Sequence, residues 1–408
     1  MSITEEQAAE ALQSAPPIIL SPGPRATEHT APEPDDVWIL PHGKAWVYLG
    51  EGNDRLTRPF LSADGFSVGP SDIDFSWEML EYGPYPLLSE LRRRGRDVVL
   101  IGYEERSDSI LENAETVMAA VTKTLENRVG DHPLAVGGFS MGGLVSRYAL
   151  AKMETEGREH QARLYFSYDS PHNGAWVPIA LQAFAHYIRK LNADFSNQIN
   201  SDASQELLWR HMAHWEDEPA MSERRLEFLR ALEEVGQWPQ EPHRIAIANG
   251  PSTGQGNGVT PGVEAVIGKG LSITGTELLT QSTGNDRLVA RLRVVSAPTR
   301  EVYTHGMPDI DSAPGGTLYG FGILANTLND LPPLYGLKVD NPIREHCFVP
   351  AVSAIAAREP ASNDDLYTPI SDEELEKTPF HEVKLSSQND THTLVTEELA
   401  GWLLERLP

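Results

Sequence analysis

The sequence predicts an α/β domain on a mostly parallel central sheet, with an inserted helical cap and an antiparallel, loop-rich insertion. Three observations carry this. Short apolar runs alternate with stretches of helical periodicity from residue 58 to residue 170. Two of those runs, Asp97–Gly102 and Pro133–Gly138, are almost wholly apolar, as strands covered on both faces must be. The chain has 408 residues, 40% of them hydrophobic and 23% charged, which supplies a large core.

The elements follow in order. Residues 1–35 read as a tail: Thr4–Leu12 suits one short helix, and Pro16, Pro17, Pro22, Pro24, Pro32 and Pro34 then deny regular structure. Val37–Leu40 and Ala45–Leu49 flank Pro41-His42-Gly43 and predict a hairpin. Arg58–Ala63 is a third strand that ends at Asp64-Gly65-Phe66. Residues 76–94 carry helical apolar positions interrupted by Pro84 and Pro86, and Arg92-Arg93-Arg94 suits a helix C-terminus favoured by the dipole. Ile110, Ala114, Val117, Val121 and Leu125 recur at helical spacing over 108–127, with Asp108 as the expected N-cap. A helix over 142–156 and a strand over Arg163–Tyr168 complete the alternation.

Residues 175–240 break the rhythm and read as the helical cap. A strand returns at His243–Ala248, and 250–345 looks antiparallel, because Leu288, Ala290 and Leu292 alternate with Arg287, Arg291 and Arg293. Phe380–Ser386 is the expected last strand and 393–407 the final helix, so residues 36–408 form one domain.

Acidic residues number 59 against 33 Lys plus Arg, a net charge of −26, which repels phosphate backbones and excludes a nucleic-acid partner. The single cysteine, Cys347, rules out an internal disulfide and a cysteine-based metal site. No run approaches a membrane span, and the first seventeen residues lack the pattern of a secretory signal, so a cytoplasmic protein without stable membrane insertion is expected. Arg outnumbers Lys 25 to 8, a bias that points to a GC-rich bacterial genome.

Gly138-Phe139-Ser140-Met141-Gly142 carries the chemistry. It fits G-x-S-x-G between a predicted strand and a predicted helix, where the serine stands on a sharp turn at a positive helix N-terminus. Here the chain resembles the α/β-hydrolase superfamily, and in particular bacterial lipase- and esterase-like members related to the GPI inositol-deacylase group. The resemblance rests on Gly138–Tyr148, on Ser170-Pro171-His172-Asn173-Gly174-Ala175 and on Phe348–Ala354. It covers most of 58–190 and 341–408. It implies the α/β-hydrolase fold, a Ser–His–acid triad, hydrolysis of esters or related acyl bonds, and no metal or organic cofactor.

Serine needs a base, and in this fold the histidine follows the last strand, which selects His392. His346 and His381 are weaker rivals, and His172 is expected to order its own loop. The acid is less clear. The usual place, after the strand His243–Ala248, reads Asn249-Gly250-Pro251-Ser252 and has no carboxylate. Asp169, which ends the preceding strand, is the first choice, as in some lipases of this fold; Asp311 is the alternative, and Asp309, Glu345, Asp364 and Asp365 remain as options. Oxyanion donors are expected at the amides of Met141 and Phe66, with Gly65 letting the backbone approach.

Other clusters carry less. Gly254–Gly258 reads as a flexible loop, not a dinucleotide site. His211 and His214, at i and i+3 on an expected helix, lack a third metal ligand. Asp72, Asp74 and Asp364-Asp365 could hold Ca²⁺, but acidic pairs are common in so acidic a chain. The leading expectation is a serine hydrolase acting on an ester or thioester with an apolar portion, its acyl site shaped by the 175–240 cap. An acyltransferase or cyclase would share the first half-reaction, and a non-catalytic binding protein is the third reading.

Overall fold

A computed structural model of the chain describes residues 4, 6, 7, 10, 27–295 and 297–408. Glu6, Gln7 and Glu10 are helical and Thr4 is not, within the expected Thr4–Leu12 helix; its other residues and Pro16 to Pro24 lie outside the described residues.

The main sheet has eight strands: β1 (Asp36–Leu40), β2 (Gly43–Tyr48), β3 (Pro59–Ala63), β4 (Asp97–Tyr103), β5 (Leu134–Phe139), β6 (Ala162–Tyr168), β7 (His243–Ala248) and a last strand at Glu382–Leu385. Their order is β1-β2-β4-β3-β5-β6-β7 and then the last strand. β1 pairs antiparallel with β2 and β2 antiparallel with β4, and every later pairing is parallel. This is the α/β-hydrolase fold. Alternate residues of one strand serve different cores: Val99 and Ile101 of β4 face helices Ile110–Asn127 and Met141–Thr155, while Val98 and Leu100 face helices Ile73–Glu81, Leu87–Arg93 and Glu397–Leu404. That two-sided burial is why β4 and β5 carry continuous apolar runs.

Helix Ile110–Asn127 starts one residue later than expected. Ser109, not Asp108, is its N-cap: the Ser109 hydroxyl accepts from the Leu111 amide, and the Glu206 carboxylate accepts both from the Ser109 hydroxyl and from the Ile110 amide. The chain before β1 is tied to the body. The Glu28 and Ala31 amides donate to Glu78 and Asp74 of helix Ile73–Glu81, and the Tyr48 hydroxyl donates to the Pro32 carbonyl.

Residues 175–240 supply short helices at Ile179–Tyr187, Asp194–Ile199, Asp202–Leu207 and Glu223–Glu234. Beyond β7 stands a five-stranded antiparallel sheet of β8 (Glu264–Gly268), β9 (Glu277–Leu279), β10 (Arg287–Leu292), β11 (Arg300–Thr304) and β13 (Val339–Asp340). A separate ladder pairs β12 (Gly315–Leu318) with β14 (His346–Pro350). The last main-sheet strand is thus β15. No helix among the described residues is long and apolar enough to cross a membrane.

Candidate active site

The turn from β5 to helix Met141–Thr155 is built for one residue to stand out. Ser140 has φ 53° and ψ −127°, a strained pair for a residue with a side chain. Its flanking glycines are sterically required. A Cβ on Gly138 would come within 2.5 Å of the Gly142 carbonyl carbon, and one on Gly142 within 2.1 Å of the Ala63 oxygen. The Ser140 amide is held by the Tyr168 carbonyl at 2.9 Å, which leaves the hydroxyl free to face the end of the sheet.

His392 meets it there. The two lie 2.7 Å apart, Ser140 Oγ to His392 Nε2, and His392 Nδ1 lies 2.7 Å from Asp169 Oδ2. A proton on Nδ1, donated to the carboxylate, leaves the Nε2 lone pair aimed at the serine hydroxyl. Asp169 is fully buried, with φ 49°, and its other oxygen accepts from the Asn249 amide at 2.9 Å. The carboxylate that faces His392 thus stands at the end of β6, one strand over from Asn249 after β7. Asn249, in the vacated place, braces both partners, since its side-chain amide also donates to the Leu394 carbonyl in the histidine loop. The ring of His392 packs edge-on against Phe348 of β14 at 4.8 Å.

The antiparallel insertion has a part that composition did not reveal. β12 returns to the site and fixes the histidine loop. The Thr317 amide donates to the Asp390 carbonyl at 2.9 Å, and the His392 amide donates to the Thr317 carbonyl at 2.8 Å. Gly316 lies directly against Asp169, where a Cβ would stand 2.1 Å from Oδ2.

Gly65 touches Ser140: a Cβ on it would lie 3.5 Å from the serine Cβ. Its own amide is occupied by Asp64 Oδ1 at 2.8 Å. Among the described residues no acceptor faces the Phe66 amide, and the Met141 amide is the first of its helix. Asp64 also accepts from the Ser71 hydroxyl at 2.6 Å. Burial pushes the Asp64 carboxyl above its usual range, against the pull of Arg106.

The other candidates lie elsewhere. Asp311 is completely buried, but its oxygens accept from the Trp176 indole and the Gln281 amide, both at 2.6 Å, and burial pushes it up to about 6; it is not a partner of His392. Asp309 binds the Thr283 amide and the Asn363 side chain, Asp365 caps with Ser362, and Glu345 sits beside Tyr319. His346 is buried against Phe321, and burial lowers it to about 4. His381 stacks on His243. His172 does order its loop, through Ser167 at 2.8 Å. His211 is not helical; it bridges to Ala220 and bonds Asn200, while His214 pairs with Asp217. Asp72 caps helix Ile73–Glu81, and Asp74 receives the Ala31 amide. The Gly254–Gly258 loop is pinned rather than loose, by Asn257 to Asp311 and by Asn389 to Gln255 and Gly256.

Among the described residues one cluster brings three possible metal ligands close together: Glu154, His160 and Glu241. The Ala162 amide donates to His160 Nδ1 at 3.0 Å, which puts the imidazole proton on Nε2, the nitrogen facing Glu154 at 3.1 Å. A metal would need that nitrogen bare, so the cluster reads as a hydrogen-bonded tie.

The cleft beside the serine corrects a further expectation. It offers about 850 Å³ of free space, open mouth included, and its walls come from Trp46, Leu100, Phe139, Phe66 and helix Ile73–Glu81. No residue of 175–240 lines it. The segment instead buries Trp176, Phe184 and Phe195 in the larger of the two hydrophobic cores. The signal missed was the amphipathic stretch that opens after Asp72, a short way along the chain from Gly65 and Phe66.

A family model for the thioesterase domain matches residues 85–202, a stretch that contains Ser140 and Asp169 and ends before His392. No curated protein matches the sequence. Among solved structures, the chain is similar to a Bacillus licheniformis lipase in mature form, at 11% identity over 50% of this chain and 72% of that one, with a TM-score of 0.33. It is similar to a serine hydrolase without lid from Xanthomonas campestris, at 19% identity over 36% and 65%, with a TM-score of 0.26. It is also similar to a hyperthermophilic esterase from the archaeon Pyrobaculum calidifontis, at 18% identity over 40% and 52%, with a TM-score of 0.28. The last two are matched over less than two thirds of their own length.

Proposed function

We propose that the protein is a serine hydrolase that cleaves a carboxylic ester or thioester through an acyl-enzyme. The observation that carries this is the unbroken chain Ser140–His392–Asp169, two hydrogen bonds of 2.7 Å each. His392 Nε2 takes the hydroxyl proton as Ser140 Oγ bonds to the acyl carbon. The amides of Met141 and Phe66 receive the developing oxyanion. His392 then returns the proton to the leaving alkoxide or thiolate, and water, deprotonated by the same nitrogen, releases the acid product. Asp169 holds the Nδ1–H tautomer and offsets the imidazolium charge. The thioesterase-domain match supports thioesters among the substrates. The motifs around Ser140 and at Ser170–Ala175 support the closer kinship with the GPI inositol-deacylase group.

The same reading takes 36–408 as one hydrolase domain, with insertions at about 175–240 and about 250–345, and 1–35 as a separate tail. It makes the protein a cytoplasmic, bacterial enzyme that needs no cofactor and binds no nucleic acid. Labelling with a fluorophosphonate probe, followed by peptide mapping, tests the proposal. The probe is expected on Ser140 and on no residue of Ser140→Ala; an unlabelled wild-type protein that hydrolyses no ester would overturn it.

A further inference from the structure

The cleft has a floor and a roof of matching length. In the sheet, Trp46 pairs with Leu100, Leu100 with Ser62, and Ser62 with Gly137. Paired residues share a face, so these form one row across β2, β4, β3 and β5; Trp46, Leu100 and Ser62 of that row line the cleft, as do Phe139 and Ser140 at the end of β5. Three strand spacings of ~4.8 Å make the row ~14 Å long. Helix Ile73–Glu81 lies over it and contributes Phe75, Met79 and Leu80 to the cleft; at ~1.5 Å per residue the helix is ~13 Å long.

The cleft holds one guanidinium, Arg106, and it is already engaged. Its Nε and one terminal nitrogen donate to the Gly69 and Val68 carbonyls, each at 3.3 Å, and the other terminal nitrogen faces Asp64 at 4.0 Å. An acyl chain ending in a carboxylate would find no unengaged cation along the row. Trp46, in the outermost of these strands, lines the cleft at the end of the row away from β5.

We infer that the cleft takes a linear, uncharged acyl chain of medium length, roughly eight to twelve carbons in extended form, laid across the sheet from Ser140 to Trp46 beneath helix Ile73–Glu81. The inference rests on the serine-hydrolase reading for what is done to the chain, but not for how the chain is bound. Trp46 sets the length limit and Met79 the width of the roof.

Two measurements test this. The first is kcat/KM for p-nitrophenyl esters from acetyl to palmitoyl. It should rise up to ~4-fold per added methylene while the row fills, peak between octanoyl and dodecanoyl, and fall at palmitoyl. Trp46→Ala should move the peak to longer chains, and Met79→Trp, at a part-exposed position (37%), to shorter ones. The second needs no turnover: calorimetric binding of acetate, hexanoate and decanoate to Ser140→Ala, where decanoate should bind at least 10-fold tighter than hexanoate. A peak at acetyl or butyryl, together with no preference for decanoate, would overturn the inference. Selective decanoate binding in a protein whose Ser140 neither labels nor turns over would uphold the pocket and refute the hydrolase reading alone.

Discussion

Gly316→Ala is a one-methyl perturbation outside the triad whose effect can be worked from the geometry. The new Cβ would stand 2.1 Å from Asp169 Oδ2 and 3.2 Å from the His392 Cα. A carbon and a carboxylate oxygen need about 1 Å more than that first distance. β12 is paired to β14 on one side and held by the histidine loop on the other, so the carboxylate must give way. A shift of that size stretches the 2.7 Å bond between Asp169 and His392 beyond hydrogen-bonding range. Misplacement by about 1 Å costs ~10²-fold, and complete loss of tautomer control costs ~10⁴-fold; kcat should fall between those bounds. Overpacking should cost the fold about 1–3 kcal/mol, which urea unfolding would register separately. The assay is steady-state hydrolysis of p-nitrophenyl octanoate by wild type, Gly316→Ala, Asp169→Asn and the double variant. In the Asp169→Asn background the alanine should cost little further, because the bond it breaks is already gone. A folded Gly316→Ala with near-wild-type kcat would refute the reasoning.

Asp169→Asn should lower kcat by ~10⁴, whereas Asp311→Asn should leave kcat within a few-fold and lower the melting temperature, because its new amide group would face an N–H donor that now binds a carboxylate oxygen; kinetics and melting of both variants decide it. Burial pushes Glu206 up to about 7, so its protonated form is favoured in the folded state; that stability is full below the unfolded value near 4.5 and is lost as pH rises through about 7. Glu206→Gln can keep both of its hydrogen bonds and should flatten the fall in unfolding free energy between those pH values, gaining on the order of 1–3 kcal/mol above pH ~7.5; an unchanged pH profile would contradict this.

The legible parts of the chain were those fixed by local physics. Continuous burial made β4 and β5 largely apolar, and the glycines around Ser140 are where backbone approaches backbone, so the strand and the sharp turn at Ser140 could be read together. The place of His392 beside Ser140 could be read because it follows from strand order. Asp169 was only half legible: the empty position at Asn249 was visible, but the bond across 223 residues to His392 is a tertiary fact. Two features were out of reach. Gly316 matters through a contact that no local pattern encodes. The 175–240 segment is rich in aromatic residues, as an acyl-site cap would be, yet that richness serves a hydrophobic core and not the walls of the cleft. Composition reports that a surface is buried, not against what. The cleft's real roof, Phe75 and Met79, sits on a nine-residue helix whose start was obscured by an acidic pair that proved to be a cap and a clamp.

The central claim is that Ser140 and His392 act as one unit, and a double-mutant cycle tests it most directly. kcat would be measured for Ser140→Ala, His392→Ala and the double variant, each purified free of contaminating esterase and shown to be folded. Losses within a triad are not additive, so the double variant should be about as slow as either single one. A double variant whose loss equals the product of the two single losses would show that the 2.7 Å contact between them does not carry the reaction.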